Sequence, residues 1–143
     1  MPNKKLYNLC NIPIFQTMTK KIIQTDKAPA PIGPYSQAVL VNNMLYVSGQ
    51  IAINPANGQL VLDNIIEETQ QVMNNLKAIL EAAGMDFSNV IKTTIFLKDM
   101  NQFSSVNEVY VAFFKSDFPA RETVQVAALP KFVNVEISVV ASM

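Results

Sequence analysis

Histidine is absent from this sequence, and Cys10 is its only cysteine. These two absences remove disulfide staples, Cys/His metal sites and every catalytic triad that uses histidine as its base. Chemistry is left to Arg, Glu, Asp, Tyr, Ser, Thr, Asn and main-chain groups. Cys10 falls in a segment without clear periodicity, so it reads as a free thiol rather than a nucleophile. No apolar run approaches the roughly 20 residues needed to cross a bilayer, and no membrane association is expected. An excess of charge of one sign is missing as well, with Lys plus Arg and Asp plus Glu at 11 each. General attraction to nucleic acid is therefore not indicated. Neither a metal cluster nor a cofactor loop is visible, and cofactor-free chemistry is expected.

What is present suits a small globular protein. The 143 residues are 50% apolar and 15% charged, about the size of one domain with one core. Residues 1–18 carry Lys4 and Lys5 but no acid and no period, and Met18 offers a second start. They read as a dispensable extension before a domain spanning 19–143. The lack of any acidic residue before Asp26 leaves a mitochondrial leader as the alternative to a cytoplasmic protein, but arginine is lacking there too.

From Lys20 the pattern sharpens. Lys21 to Thr25 can form a short strand, and Pro29, Pro31 and Pro34 then force an ordered loop by removing ladder donors and fixing φ. Val39 to Val41 and Met44 to Val47, separated by Asn42 and Asn43, read as a hairpin. Asn54 to Gly58 form a second turn. Ile65, Thr69, Val72, Leu76, Leu80 and Ala83 recur at helical spacing, with Asn64 and Glu67 placed as a capping box and Gly84 as the stop. Val90 to Leu97 reads as a strand. Phe103, Val106, Tyr110 and Phe113 mark a second helix, begun near Asn101 and finished before Pro119. Glu122 to Ala128 and Val133 to Val140 are two closing strands, read as neighbours. This order predicts an α+β domain with two helices on one sheet face. Apolar residues on both parities of the last strands require shelter for the second face, and self-association is the simplest kind.

In the last strand Val133, Val135, Ile137 and Val139 share one parity, so Glu136 points away from the apolar row. In the preceding strand Arg121, Thr123 and Gln125 share a face. Side by side, these strands would gather a guanidinium, a hydroxyl and a carboxylate on one face. The plain alternative is an Arg121–Glu136 salt bridge at a wet interface. Tyr35, Ser48 and Asn107 each have a similarly plain reading, as a packed loop aromatic, a strand-end hydroxyl and a solvated helix residue.

The motifs weigh against those plain readings. Pro119, Ala120 and Arg121 precede a strand, Leu129 and Pro130 make a turn, and Val135, Glu136 and Ile137 follow. Upstream stand Ile32 to Gln37, Ser48 to Gln50, Val90 to Asp99, and Asn101, Phe103, Val106 and Asn107. From about Lys20 to Ser142, in this order, the chain resembles the RidA/YjgF family, also described as endoribonuclease L-PSP. The resemblance implies a chorismate-mutase-like fold and a homotrimer with clefts between subunits, lined by Tyr35, Ser48, Asn107, Arg121, Thr123 and Glu136. It implies hydrolysis of reactive enamines or imines, such as 2-aminoacrylate, 2-iminopropanoate and 2-iminobutanoate, to 2-oxo acids and ammonia. In that reading Arg121 anchors the carboxylate, Glu136 handles water and protons, and either the Thr123 hydroxyl or a main-chain carbonyl around it contacts the imine nitrogen. Thr123 stands where many relatives have cysteine, and Glu122 is acidic where a small residue is common; by alternation Glu122 points away from Arg121. RNA cleavage or translation inhibition is the main alternative, handicapped by the absence of histidine and of a basic stripe. A non-catalytic small-carboxylate-binding module is the third reading.

Overall fold

The computed structural model describes residues 19–143. The expected extension, with Cys10 and the second start at Met18, lies outside the described residues. Eight main elements follow: β1 (Lys20–Ile23), β2 (Ala38–Val41), β3 (Met44–Gln50), α1 (Ile65–Ala82), β4 (Val90–Leu97), α2 (Phe103–Val111), β5 (Ala120–Gln125) and β6 (Val135–Ser142). The expected α+β order holds. The strands form one six-stranded sheet in the order β1-β2-β3-β6-β4-β5, antiparallel except for the β4–β5 pair.

Local signals explain most boundaries. The β2–β3 hairpin turns at Asn42, whose φ of 51° an asparagine tolerates. β1 ends before Thr25 because the Thr25 amide donates to Gln37 Oε1 rather than to a strand. The Asn64 side chain caps α1 by accepting from the Glu67 amide. At the other end Gly84, with φ 74°, donates to the Glu81 carbonyl while Met85 donates to that of Leu80. That is the paired C-terminal closure of a Schellman motif, which needs a left-handed residue where Gly84 stands. α2 begins two residues later than Asn101, after a short 3-10 turn over Met100–Gln102 started by Asp99.

The helices cover one face of the sheet. Val72, Leu76, Ile79 and Leu80 of α1 are fully buried against Leu45, Ile95, Leu97, Val135 and Ile137. Truncating a buried leucine such as Leu76 to alanine costs about 2–5 kcal/mol. The parity expected for the last strand is observed, with Val135, Ile137 and Val139 inward and Glu136 outward. The opposite face carries an apolar row across four strands, Ile22–Val39–Tyr46–Val140, read directly from the register. Ile22 and Tyr46 are nearly half exposed in the single chain.

One expectation of layout is corrected. β5 and β6 are not neighbours, because β4 lies between them. Two crossovers produce this order: β3-α1-β4 leaves a gap that β6 fills, and β4-α2-β5 carries β5 to the edge in parallel with β4. β5 also starts and ends earlier than expected, and β6 starts at Val135 because the preceding Asn134 is bound to a helix.

Candidate active site

The register fixes which face each candidate occupies. Arg121 pairs with Thr93, and Glu136 pairs with Phe96, three residues along the same strand β4. An odd separation places them on opposite faces. The expectation that Arg121, Thr123 and Glu136 share a face is therefore wrong for the single chain, as is an intrachain Arg121–Glu136 salt bridge. Arg121 and Thr123 lie on the helix side and Glu136 on the open side. Each anchors its own half-site.

The first half-site is built where β5 meets α2. Arg121 is the sole arginine of the chain. Its Nη1 donates to Asn107 Oδ1 at 2.8 Å, and its guanidinium lies 5.0 Å from the ring centre of Tyr110 and 5.6 Å from that of Phe103. Asn107, Tyr110 and Phe103 are three and four residues apart on α2, so one helix face grips the fork from two sides. Tyr110 is itself fixed by donating to Thr93 Oγ1, and burial raises its phenol pKa against the opposing effects of that bond and of Arg121. A single acceptor uses little of the five-donor fork, and the surface beside it is open. Two residues along β5, Thr123 Oγ1 is buried without a hydrogen-bond partner, a state that native structures seldom leave unused.

The second half-site is built around β3, β6 and the proline-rich loop. Glu136 shares a pocket with Tyr35, Ser48, Gly49, Ile51 and Pro130. The half-buried carboxyl has its pKa raised by burial. Its place is set by neighbours on both sides. At the start of β6 the fully buried Glu68 of α1 accepts from the amide and side chain of Asn134 and from the Val135 amide, which fixes the two residues directly before Glu136. On β3, a register shift between Val47 and Gln50 leaves Ser48 and Gly49 in a bulge opposite β6. Bulges of this kind re-aim side chains beside sites. Ser48 Oγ donates to the Ser36 carbonyl at 2.7 Å, while Tyr35 Oη accepts from the Ile32 amide. The loop holds its shape through buried Gln37, whose amide nitrogen donates to the carbonyls of Thr25, Ala28 and Pro29.

Thus Tyr35, Ser48 and Glu136 are brought together, as are Asn107 and Arg121 with Thr123 nearby on the same strand, and the two groups are kept apart. Glu122 points away from Arg121, as expected, and binds Lys92 and Thr94 on the open face; those bonds lower its pKa. Sequence reasoning missed Glu68, and missed the holding role of Gln37 although it ends the recognised Ile32–Gln37 motif; both resemble surface residues until their neighbours are known. It also missed Gly49 and Pro130 as lining residues, although both lie inside recognised motifs. Among the described residues no group of three or more His, Cys, Asp and Glu side chains could hold a metal ion, and no helix is long and apolar enough to cross a membrane.

The fold and these surfaces define a helix-backed mixed-sheet domain that carries a cation half-site and a carboxylate half-site on opposite faces. The family model described as endoribonuclease L-PSP matches residues 25–143. The chain belongs to that family, the RidA/YjgF proteins. A Homo sapiens protein named 2-iminobutanoate/2-iminopropanoate deaminase is 54% identical over 125 residues, covering 87% of this chain and 91% of its own. The crystal structure of the E. coli YjgF gene product superposes with a TM-score of 0.82 at 46% identity, covering 85% of this chain and 98% of that one. That of E. coli TdcF with bound serine gives 0.83 at 41% identity, covering 86% and 98%.

Proposed function

We propose that this protein hydrolyses small 2-imino carboxylic acids and their enamine tautomers to 2-oxo acids and ammonia, at sites completed between the subunits of a homotrimer. The observation that carries the proposal is the division of labour between half-sites: a preorganised guanidinium fork on one, a half-buried carboxyl with a raised pKa on the other. Neither alone can both hold and hydrolyse such a substrate. The 54% identity to a protein named as a deaminase of 2-iminobutanoate and 2-iminopropanoate supports the substrate class. The apolar row Ile22–Val39–Tyr46–Val140 supports the assembly, since packing it against another subunit removes it from water.

In the assembled cleft, Arg121 of one subunit takes the substrate carboxylate bidentately through its planar fork. Water adds to the electrophilic C2 while the C=N pair moves to nitrogen, and Glu136 from the other half-site accepts the water proton. With the imine entering in its protonated form, that proton returned to nitrogen makes an ammonium leaving group; the C–N bond breaks, its electron pair departs with ammonia, and the C2 hydroxyl becomes the keto oxygen by giving its proton back to the Glu136 carboxylate. A carboxyl raised by burial toward the working pH suits both taking and giving a proton. Thr123 supplies its unpartnered hydroxyl to the imine nitrogen, while Tyr35 and Ser48 line the opposite wall. No cofactor or metal takes part.

The test couples a pyridoxal-phosphate-dependent dehydratase acting on serine or threonine to this protein and follows loss of the imine. Faster loss than spontaneous hydrolysis is expected. Binding of pyruvate without faster loss would leave a carboxylate-binding module. Cleavage of labelled RNA in a parallel sample, with imine loss unaffected, would favour the endoribonuclease reading instead.

A further inference from the structure

We infer that Gly49 is the residue that positions the Glu136 carboxylate, because the space its missing side chain leaves is the space the carboxylate occupies. A Cβ on Gly49 would overlap Glu136 Oε1 outright and would stand 2.8 Å from Cδ and 3.0 Å from Cγ. These three atoms are the nearest that such a Cβ would meet. The backbone gives no other reason for glycine here: Gly58 and Gly84 have positive φ, and Gly49 does not. The first conflict of an alanine here is with the Glu136 side chain.

Several features converge on this contact. Gly49 lies in the bulge between Val47 and Gln50, so the main chain of β3 is turned toward β6 where Glu136 stands. Glu68 holds the β6 backbone from the other side through Asn134 and Val135, so the strand cannot retreat to make room. A side chain fixed at its root and blocked at its tip must swing outward into the cleft. The inference rests on the reading of Glu136 as the proton-handling group, and adds that its placement is encoded on another strand.

The experiment combines turnover with a readout that does not need turnover. Gly49→Ala should keep the wild-type melting temperature within a few degrees and should still bind pyruvate. Its kcat should fall by about 10²-fold, the loss typical of an ångström-scale misplacement, while KM changes little. Glu136→Asp withdraws the carboxylate by one methylene. In that background Gly49→Ala should cost less than about threefold, a coupling expected only of residues in contact. Equal losses in both backgrounds would overturn the inference.

Carbon-13 titration of Glu136, assigned by its disappearance in Glu136→Gln, judges the same claim without an assay. In Gly49→Ala its midpoint should fall toward the ordinary glutamate range as the carboxyl leaves its buried place for water. An unmoved midpoint would overturn the inference whether or not the protein proves to be a deaminase. Within the chain Tyr35 is the other titratable side chain lining this pocket, and in the proposed assembly another subunit's Arg121 faces the same cleft; both proteins are titrated in the same assembly state, and repeating the titration in a Tyr35→Phe background removes the influence of Tyr35. Normal turnover by Glu136→Gln would instead sink the catalytic role of Glu136 and leave the positional claim to the titration.

Discussion

Arg121 and Glu136 belong to the same sheet but face opposite ways, with β4 between their strands and their pairing partners Thr93 and Phe96 three residues apart along it. No side-chain rotation brings them together within one chain. Any reaction that uses both draws them from two subunits.

That relationship predicts complementation. Arg121→Lys subunits keep a sound Glu136 half-site, and Glu136→Gln subunits keep a sound Arg121 half-site. Unfolded together in equal amounts and refolded, they should regain about a quarter of wild-type activity, the share of random interfaces that unite two intact halves. Mixing without refolding should regain far less. Light scattering should report a trimer for each parent; a monomer mass at micromolar concentration would refute the shared site.

Arg121→Lys keeps the charge and loses both the fork and its stack on Tyr110 and Phe103. Calorimetry with pyruvate or 2-oxobutanoate should show binding weakened by about 1.5–3 kcal/mol, the worth of charge-assisted hydrogen bonds. Unchanged affinity would remove Arg121 from the role of anchor.

Glu136→Gln should bind the same 2-oxo acids normally and lose a factor of roughly 10²–10⁴ in turnover. The pH dependence has a definite sign. Burial penalises the carboxylate, so the folded protein holds this proton to higher pH than the unfolded chain does. Activity that needs the carboxylate should therefore rise through a limb lying above the ordinary glutamate value, and the glutamine variant should lack that limb. Stability runs the other way: the Glu136 contribution declines as pH rises from the unfolded pKa through the raised folded one. A wild-type profile with no such limb would assign proton transfer to another group.

Residues 1–18 show neither helical nor strand period in the sequence. A chain beginning at Met18 should retain trimerisation and turnover. Failure of that shortened chain to fold would mean that the extension packs on the core.

The elements most legible in the sequence are those whose signals are local. α1 announces itself through periodicity, Asn64 and Gly84, the hairpin through Asn42, and β4 through its run of branched residues. The position of β5 is not local information. It lies at an edge with nearly every residue exposed, so its alternation carries no burial contrast, and only the parallel pairing with β4 decides which face Arg121 occupies. The insertion of β6 between β3 and β4 is equally invisible, since it depends on crossovers. Among the candidate residues, types and motifs were readable and their grouping was not. The polar residues that hold the site, Glu68 and Gln37, were unreadable for a related reason: a carboxylate or amide looks solvated until the main-chain groups it satisfies have been located.

If the site is shared as proposed, the separation of Arg121 from Glu136 by the thickness of a sheet also makes catalysis depend on concentration. On the shared-site reading, an isolated subunit is a finished fold with unfinished chemistry. Dilution below the dissociation constant of the assembly would then silence the enzyme while every helix and strand stayed in place. Circular dichroism would register nothing, and a fall in specific activity across a dilution series would be the chemical sign that the subunits had parted.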